Sequence, residues 1–259
     1  MWPAGPAWFL WQLFLLSALT AGLHALSPRG VKALARLGGS VADRPLAFLV
    51  SLTMLSTLAY VPLAIAFTPW DWTYWGPFSF QLSRPLHYVV YFFAGFSLGA
   101  YGCDRGLLCP DGPLARHWRI WLTAAIASFA IWGGVTSLTL SGWDTSPLAY
   151  QLAGAFAFPP ACASGALFLL AICLRLLRIR DRLLDSLSRN AYGIYLVHYV
   201  FVVWLQYALL SVPLNAIFKY VIVFATALVL SWAASSGLSA LNPRHLGLLA
   251  KRAMADQSR

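Results

Sequence analysis

The sequence predicts an all-α fold: a polytopic bundle of transmembrane helices with seven spans, the N-terminus outside and the C-terminus in the cytoplasm. Three observations predict it. Of the 259 residues, 60% are hydrophobic and only 10% are charged, which is far from the composition of a soluble domain. Apolar runs of spanning length recur along the chain, and the basic residues collect in alternate connections between those runs.

The predicted spans are the apolar segments that are long enough to cross a bilayer. A hydrocarbon core about 30 Å thick needs about 20 residues of helix. The segments are residues 5–26, 46–68, 85–102, 119–140, 152–174, 191–211 and 216–240. They are continuously apolar rather than alternating, which favours helices over the strands of a barrel. The first run has no basic residue before it and exceeds the core of a signal peptide, so it is interpreted as a span.

The chain is interpreted as one transmembrane domain, residues 1–240, followed by a cytoplasmic basic tail, residues 241–259. Prolines interrupt the apolar pattern at Pro62 and at the pair Pro159 and Pro160. A proline removes a backbone donor, so the pair is expected to kink or interrupt the fifth span. Broken helices of this kind line substrate sites in transporters, although prolines in membrane helices are often simple kinks.

The orientation is predicted from the basic residues, of which 16 of 18 fall on one side of the membrane. That side carries Arg29, Lys32, Arg36, Arg44, Arg105, Arg116, Arg119, Arg175, Arg178, Arg180, Arg182, Arg189, Arg244, Lys251, Arg252 and Arg259. Only Arg84 and Lys219 fall on the other side. Because positive charge accumulates in cytoplasmic loops, the tail is placed inside. The net charge of +10 therefore needs no nucleic-acid partner, although basic loops also attract anionic membrane lipid.

Few ionisable groups are available for chemistry inside the predicted bundle. The chain has no Glu, and its eight Asp residues all lie outside the predicted spans. A buried carboxylate relay, the usual equipment of a proton-driven transporter, is therefore not predicted. The four cysteines lie in a predicted cytoplasmic loop or within a span, so neither a disulfide framework nor a bound metal is expected.

The first candidate residue is His198, a histidine at predicted membrane depth. His198 is placed about eight residues into the sixth span. A neutral imidazole there can remove a proton from a hydroxyl, because imidazole titrates near neutral pH. The alternative is a histidine that hydrogen-bonds between helices and only supports packing.

The other candidate cluster is the loop that precedes the third span, together with the start of that span. It contains Trp70, Asp71, Trp72, Trp75, Arg84 and His87. Aromatic faces beside polar groups are suited to a sugar or a lipid headgroup, and His87 is expected just below the outer membrane surface. The alternative is an interfacial aromatic belt with Arg84 extending toward water. Arg84 remains notable because the outer side has so little positive charge.

Several stretches together resemble the acyltransferase 3 family of membrane enzymes. They are GPAWFLWQL in the first span, RPLHYVVYFFAGFSLGAYG followed by LARHWRIW, and LSRNAYGIYLVHYVFV near the end. The resemblance covers most of the chain. It implies an enzyme of the bacterial inner membrane that takes an acyl group from acyl-CoA and delivers it to a hydroxyl of a carbohydrate or related cell-envelope acceptor, as in polysaccharide modification.

The resemblance also implies roles for individual residues. Family members usually have ten helices with both termini cytoplasmic, so the chain is expected to be N-terminally incomplete, and the family's first-helix arginine and catalytic histidine have no counterpart in it. Arg84 and His87 would then lie near the acceptor, while Tyr195 and His198 would shape the core. The arginines Arg178, Arg180 and Arg182 would bind the phosphates of acyl-CoA, since guanidinium groups match phosphate oxygens.

Three functional hypotheses follow for this sequence. The leading one is a membrane O-acyltransferase. The second is a transporter or export component that moves a glycan or a lipid without forming an ester. The third is an inactive remnant of an acyltransferase that inserts into the membrane without its catalytic base.

Overall fold

The computed structural model describes residues 7–75, 78–139, 142–177 and 181–240. This part of the chain is almost entirely helical, with one two-stranded hairpin and one 3-10 turn. The helices are α1 (Ala7–Leu26), α2 (Pro28–Ala42), α3 (Pro45–Phe67), α4 (Pro85–Tyr101), α5 (Pro113–Arg116), α6 (Trp118–Ser137), α7 (Leu148–Leu176), α8 (Arg182–Ala208) and α9 (Ala216–Ala240). Strands β1 (Trp72–Trp75) and β2 (Phe78–Gln81) form the antiparallel hairpin, and the 3-10 turn is Gly106–Leu108. The predicted all-α class is confirmed.

Six helices of the described residues are long and apolar enough to cross a membrane: α1, α3, α6, α7, α8 and α9. These six correspond to predicted spans, and the chain is an integral membrane protein. The helix at the third predicted span, α4, has only 17 residues, which is short for a bilayer core that needs about 20. The count of seven spans and the orientation of the termini stay predictions.

The first long connection is itself a helix, which the sequence analysis did not predict. α2 begins after Ser27, whose hydroxyl accepts a hydrogen bond from the backbone N–H of Gly30 at 3.3 Å, and Pro28 occupies the first turn, where its missing N–H costs nothing. Its basic side chains are exposed, whereas Gly38 and Ala42 are buried against the bundle. α2 is therefore amphipathic, the pattern of a helix that lies in a membrane interface.

Two long helices differ from their predicted limits. α7 runs unbroken from Leu148 to Leu176 through Pro159 and Pro160, so the proline pair does not interrupt the helix, and a kink at the pair stays a prediction. α8 begins at Arg182 rather than at residue 191. Its first turns carry charged side chains that a search for apolar runs leaves out, yet they continue the helix because none of them breaks its backbone hydrogen bonds.

The described helices divide into two compact units. In the unit Trp8–Ile179, α7 packs against α3, α5 and α6, and α4 packs against α2 and α3. Its main apolar core is formed by Phe48, Leu52, Leu98, Leu114, Trp121 and Leu167. A smaller core lies where α3 meets α7, around Tyr60, Ala64, Trp143 and Ala155.

The second unit consists of α8 packed against α9, and polar side chains join the two helices. The hydroxyl of Ser235 donates to Oδ1 of Asn190 at 3.0 Å, and the indole N–H of Trp232 donates to Oγ of Ser186 at 3.1 Å. Hydrogen bonds of this kind hold helices together in lipid, where apolar contact alone gives little preference for one partner.

Candidate functional site

A buried serine and histidine form a hydrogen-bonded pair between α3 and α4. Oγ of Ser56 lies 2.7 Å from Nδ1 of His87, and the two residues are 0% and 5% exposed. A hydroxyl can donate to a bare ring nitrogen or accept from a protonated one. Ser56 therefore fixes the orientation of the imidazole in either tautomer. The other ring nitrogen, Nε2, takes no part in this hydrogen bond.

The pair lies level with the middle of α3, which is deeper than the sequence predicted for His87. Ser56 precedes the end of α3 at Phe67 by eleven residues, about 16 Å at helical rise. α4 begins at Pro85, two residues before His87. The connection between the two helices, described over residues 68–75 and 78–84, therefore returns from the end of α3 to the level of Ser56.

This returning segment is packed inside the protein where it meets α4. Gln81 and Ser83 are 7% and 0% exposed, and the backbone N–H of Arg84 donates to the carbonyl of Gln81 at 3.0 Å. Non-helical backbone at membrane depth is tolerated where protein buries it or where it lines a cavity. The start of α4 is thus an internal helix end, and it accounts for the short length of this helix.

Aromatic rings from three helices surround His87. Tyr60 of α3, Tyr91 of α4 and Phe158 of α7 lie with ring centroids 5.8, 4.6 and 5.3 Å from the imidazole. The surroundings of the imidazole are therefore largely apolar, so a proton or a charge there interacts strongly with its neighbours.

Arg84 reaches the same cluster from the residue that precedes α4. Its guanidinium carbon lies 5.3 Å from the centre of the Phe158 ring, so Arg84 and His87 both contact this ring. Among the described residues, an ion pair is found between Asp104 and Arg105, and Arg84 takes part in none. Arg84 thus brings a positive charge beside His87 that no described carboxylate neutralises.

A small cavity of about 10 Å³ adjoins this cluster. Its lining is Tyr60, Pro69, Trp70, Arg84, Trp132, Thr136, Trp143 and Gly154. The cavity contacts the His87 cluster through Tyr60 and Arg84, which belong to both. Trp70 is 45% exposed whereas Trp143 is 7% exposed, so the lining extends from the protein surface to a buried indole.

A second cavity, of about 580 Å³, lies between α2, α3 and α4. Its lining includes Leu52 and Leu55 on α3 and Val89 and Val90 on α4. These positions are close in the chain to Ser56 and His87, although neither of those two residues lines the cavity. The cavity has the size and apolar character of a small-molecule site.

The structure brings together only some of the predicted outer residues. Trp70, Arg84 and His87 belong to one connected cluster. Trp72 instead contacts Trp8, with ring centroids 5.7 Å apart, and is 42% exposed. Asp71 is also exposed. The side chain of Trp75 lies outside the described residues.

The other predicted site residues lie on α8. Nδ1 of His198 lies 2.6 Å from the carbonyl oxygen of Tyr195, one turn earlier on the same helix. A carbonyl only accepts, so Nδ1 carries a proton that it donates within the helix. The Tyr195 and His198 rings lie 5.6 Å apart. This hydrogen bond lies within α8, whereas the packing alternative for His198 is a hydrogen bond between helices.

The residues predicted to bind acyl-CoA phosphates are only partly described. Arg178 and Arg180 lie outside the described residues, and Arg182 is an exposed residue at the start of α8. Across the described ranges, no group of three His, Cys, Asp or Glu side chains is placed to hold a metal ion.

The sequence analysis did not single out Ser56, Tyr60, Tyr91, Phe158 or Trp143. A signal was present on two of the helices, because Ser56 and Tyr60, and likewise His87 and Tyr91, are spaced four residues apart in apolar runs. That spacing places each pair on one face of a helix. Phe158 on α7 and Trp143 in the connection before α7 carry no such signal, since only tertiary packing brings them to His87 and Arg84.

Comparison with known families agrees with the membrane fold and with the order of the motifs. The model of the acyltransferase 3 family, described as an acyltransferase domain, matches residues 1–236. Searches among curated proteins and among solved structures gave no match. The family match covers far more than half of the chain, including all the elements that form the His87 cluster. The chain therefore belongs to the acyltransferase 3 family.

Proposed function

We propose that this membrane acyltransferase transfers an acyl group from acyl-CoA to a hydroxyl of a carbohydrate or related cell-envelope acceptor, in the inner membrane of a bacterium. The observation that carries the proposal is the buried Ser56–His87 pair, with Arg84 beside it, in a chain of this family. Acyl transfer to a hydroxyl needs a group that removes the hydroxyl proton and a positive charge near the carbonyl that is attacked.

His87 is the described residue best suited to handle the proton. When Nδ1 donates to Oγ of Ser56, the other nitrogen Nε2 is unprotonated and can accept the proton of the acceptor hydroxyl. The acceptor oxygen then forms a bond to the thioester carbonyl carbon. The carbon–sulfur bond breaks, and the proton passes from His87 to the departing CoA sulfur. Ser56 can accept from Nδ1 throughout, so its hydroxyl also supports the protonated ring.

Arg84 supplies the positive charge in this proposal. The tetrahedral intermediate of acyl transfer carries a negative oxygen, which fixed positive groups stabilise more strongly in a site that excludes water. Arg84 and His87 flank the same Phe158 ring. The guanidinium is thus held close to the place where that charge develops.

The apolar cavity between α2, α3 and α4 supports a route for the donor. It lies between α2, α3 and α4, and the exposed face of α2 carries Arg29, Lys32 and Arg36. The positive-inside pattern places α2 at the cytoplasmic surface. We propose that the CoA phosphates bind basic residues at this surface while the acyl-bearing arm extends along the cavity. Contacts of Arg178, Arg180 and Arg182 with the CoA phosphates stay a separate prediction from the sequence.

The experiment that tests the function compares His87→Ala with His117→Ala in membranes of cells that produce the protein. His117 is exposed and bonds Nδ1 to the carbonyl of Pro113 within its own turn, so it is a matched control. The assay is transfer of radiolabelled acetyl from acetyl-CoA to cell-envelope glycan. We expect the His87 variant to lose about 10²–10⁴-fold in rate at unchanged abundance, and the control to stay active. Full activity of the His87 variant contradicts the proposed role of this residue.

One observation favours a second candidate, a transporter or export component. α4 begins inside the bundle, and helices that begin at membrane depth are common at transporter substrate sites. A transporter moves its substrate without forming an ester. Release of free CoA together with an alkali-labile acyl ester on the glycan therefore supports the acyltransferase, whereas substrate movement with neither product supports the transporter.

A further inference from the structure

The small cavity beside Arg84 is lined by hydrogen-bond donors that have no acceptor. Its volume of about 10 Å³ is room for a single oxygen atom of water size. Two buried nitrogens of its lining residues, Nε of Arg84 and Nε1 of Trp143, have no hydrogen-bond partner among the described residues. Neither a guanidinium nor an indole nitrogen can accept a hydrogen bond. Both groups can therefore donate to an oxygen that occupies the cavity.

The start of α4 adds a further positive contribution at the same place. Arg84 is the N-cap of this 17-residue helix, and its side chain makes no capping hydrogen bond. The free N–H groups of a helix N-terminus carry about half a positive charge and favour anions. No carboxylate is among the residues that line the cavity. The charges around the cavity are thus positive or neutral.

We propose that this Arg84–Trp143 cavity binds one anionic oxygen of the acyl acceptor, so that the acceptor carries a carboxylate or a phosphate group. The proposal rests on the proposed acyltransferase function and names the class of its acceptor. A neutral hydroxyl fits less well, because it carries no charge to interact with the Arg84 guanidinium and with the N-terminus of α4. Tyr60 and Thr136 also line the cavity, and their hydroxyls can donate to the same oxygen.

The position of the cavity explains how such an anchor would serve the reaction. Arg84 and Tyr60 line the cavity and also lie in the His87 cluster. An acceptor held by its anionic oxygen at this point has its remaining atoms outside the cavity, within reach of His87. Trp70 and Trp132 also line the cavity, and their flat faces are suited to the apolar face of a sugar ring.

Binding is tested on the full chain in lipid nanodiscs with ¹⁵N-labelled tryptophan indoles. The Trp143 resonance is identified by its loss in Trp143→Phe, which keeps an aromatic ring and removes the N–H. Titration with inorganic phosphate and with acetate at constant ionic strength is expected to shift this resonance, and Arg84→Gln is expected to weaken the binding at least tenfold. A Trp143 resonance that does not move, or one that moves equally in Arg84→Gln, overturns the proposal.

Matched controls come from a second tryptophan and arginine pair. The guanidinium carbon of Arg119 lies 5.5 Å from the Trp118 ring, and neither residue lines the cavity. Trp118→Phe and Arg119→Gln should leave the Trp143 titration unchanged. If they weaken it as much as Arg84→Gln does, the anion acts through general charge and the specific site is contradicted.

Acyl transfer then separates the subsite from the proposed function. Three oligosaccharide acceptors are compared in membranes: one carrying a uronic acid, one carrying a phosphate ester, and a neutral one. Trp143→Phe should raise KM about tenfold for at least one anionic acceptor, with kcat unchanged and with little effect on the neutral acceptor; which anionic acceptor responds identifies the source of the oxygen. An equal loss on all three, or a loss confined to kcat, overturns the subsite. Absence of transfer by the unmodified chain to any acceptor contradicts the acyltransferase proposal, while the indole titration still reports on the anion site.

Discussion

At the scale of single residues, the hydrogen bond of Ser56 to His87 should be needed both for stability and for transfer. Ser56→Ala leaves the buried Nδ1 of His87 without its partner at 2.7 Å. A buried polar group without a partner costs about 1–3 kcal/mol. We expect a lower melting temperature in detergent and an acyl-transfer rate that falls although the histidine is still present.

The matched control is Ser164→Ala. Ser164 on α7 is 3% exposed, and its Oγ lies 2.6 Å from Oγ of Ser128 on α6. Its loss should lower stability by a similar amount and leave the transfer rate per folded molecule unchanged. An equal loss of transfer in both variants would show that Ser56 acts only through packing.

Phe158 is the second residue with a testable role, because it contacts both Arg84 and His87. Phe158→Ala removes the ring that both side chains contact. We expect the free energy of unfolding to fall by less than the about 3–5 kcal/mol that is typical when a fully buried phenylalanine is replaced by alanine. The transfer rate should fall about as far as in His87→Ala. Phe156→Ala, two residues away and 53% exposed, is the control. Wild-type transfer by the Phe158 variant would argue against the role of this ring.

At the scale of elements, the close approach of α2 to α4 depends on Gly38. A Cβ atom on Gly38 would lie 2.6 Å from Oγ and 2.9 Å from the backbone carbonyl carbon of Ser97. Gly38→Val should therefore force the helices apart, at about 1–3 kcal/mol, and open the apolar cavity that both helices line. The measurement is the thermal melting temperature in detergent. Gly95→Val on α4 is the control, since nothing lies within 4 Å of a Cβ there, and an equal loss in both variants would contradict the packing role of Gly38.

α2 also shows what a hydropathy pattern cannot detect. Its basic residues predicted a connection between spans. Mean hydropathy over a window averages the apolar and the charged face of a helix, so it does not detect an amphipathic one. The helix forms because its apolar face packs on α3 and α4 and because Ser27 and Pro28 favour a helix start. Those local signals were readable in the sequence, whereas the surface that α2 covers was not.

At the scale of the whole molecule, the predicted orientation can be tested with single cysteines. Cys103 is exposed in the loop after α4, on the predicted cytoplasmic side. With the other three cysteines changed to serine, a membrane-impermeant maleimide should label Cys103 only after the cells are permeabilised. Asp144→Cys, in the exposed connection between α6 and α7, should be labelled in intact cells if the chain otherwise lacks cysteine. The reverse labelling pattern would overturn the orientation predicted from the basic residues.

The sequence by itself determined the class of the protein and most of its helices. Composition and the length of apolar runs are sufficient for this, because a bilayer requires helices of a set length whatever their partners. The resemblance to the acyltransferase 3 family could also be read from the order of its motifs, and the match over residues 1–236 confirms it. Arg84 could be singled out because positive charge is rare on the predicted outer side, and His87 because titratable residues are rare in membrane spans.

Only the tertiary structure decided which side chains form the candidate site. The connection between α3 and α4 returns into the bundle, so His87 meets Ser56 at the middle of α3, and Trp143 lies against Arg84 in a cavity that residues of α3, α6 and α7 complete. These contacts join residues far apart in the chain. Local periodicity reports which face of a helix a residue occupies, but it carries no information about which other helix that face will contact.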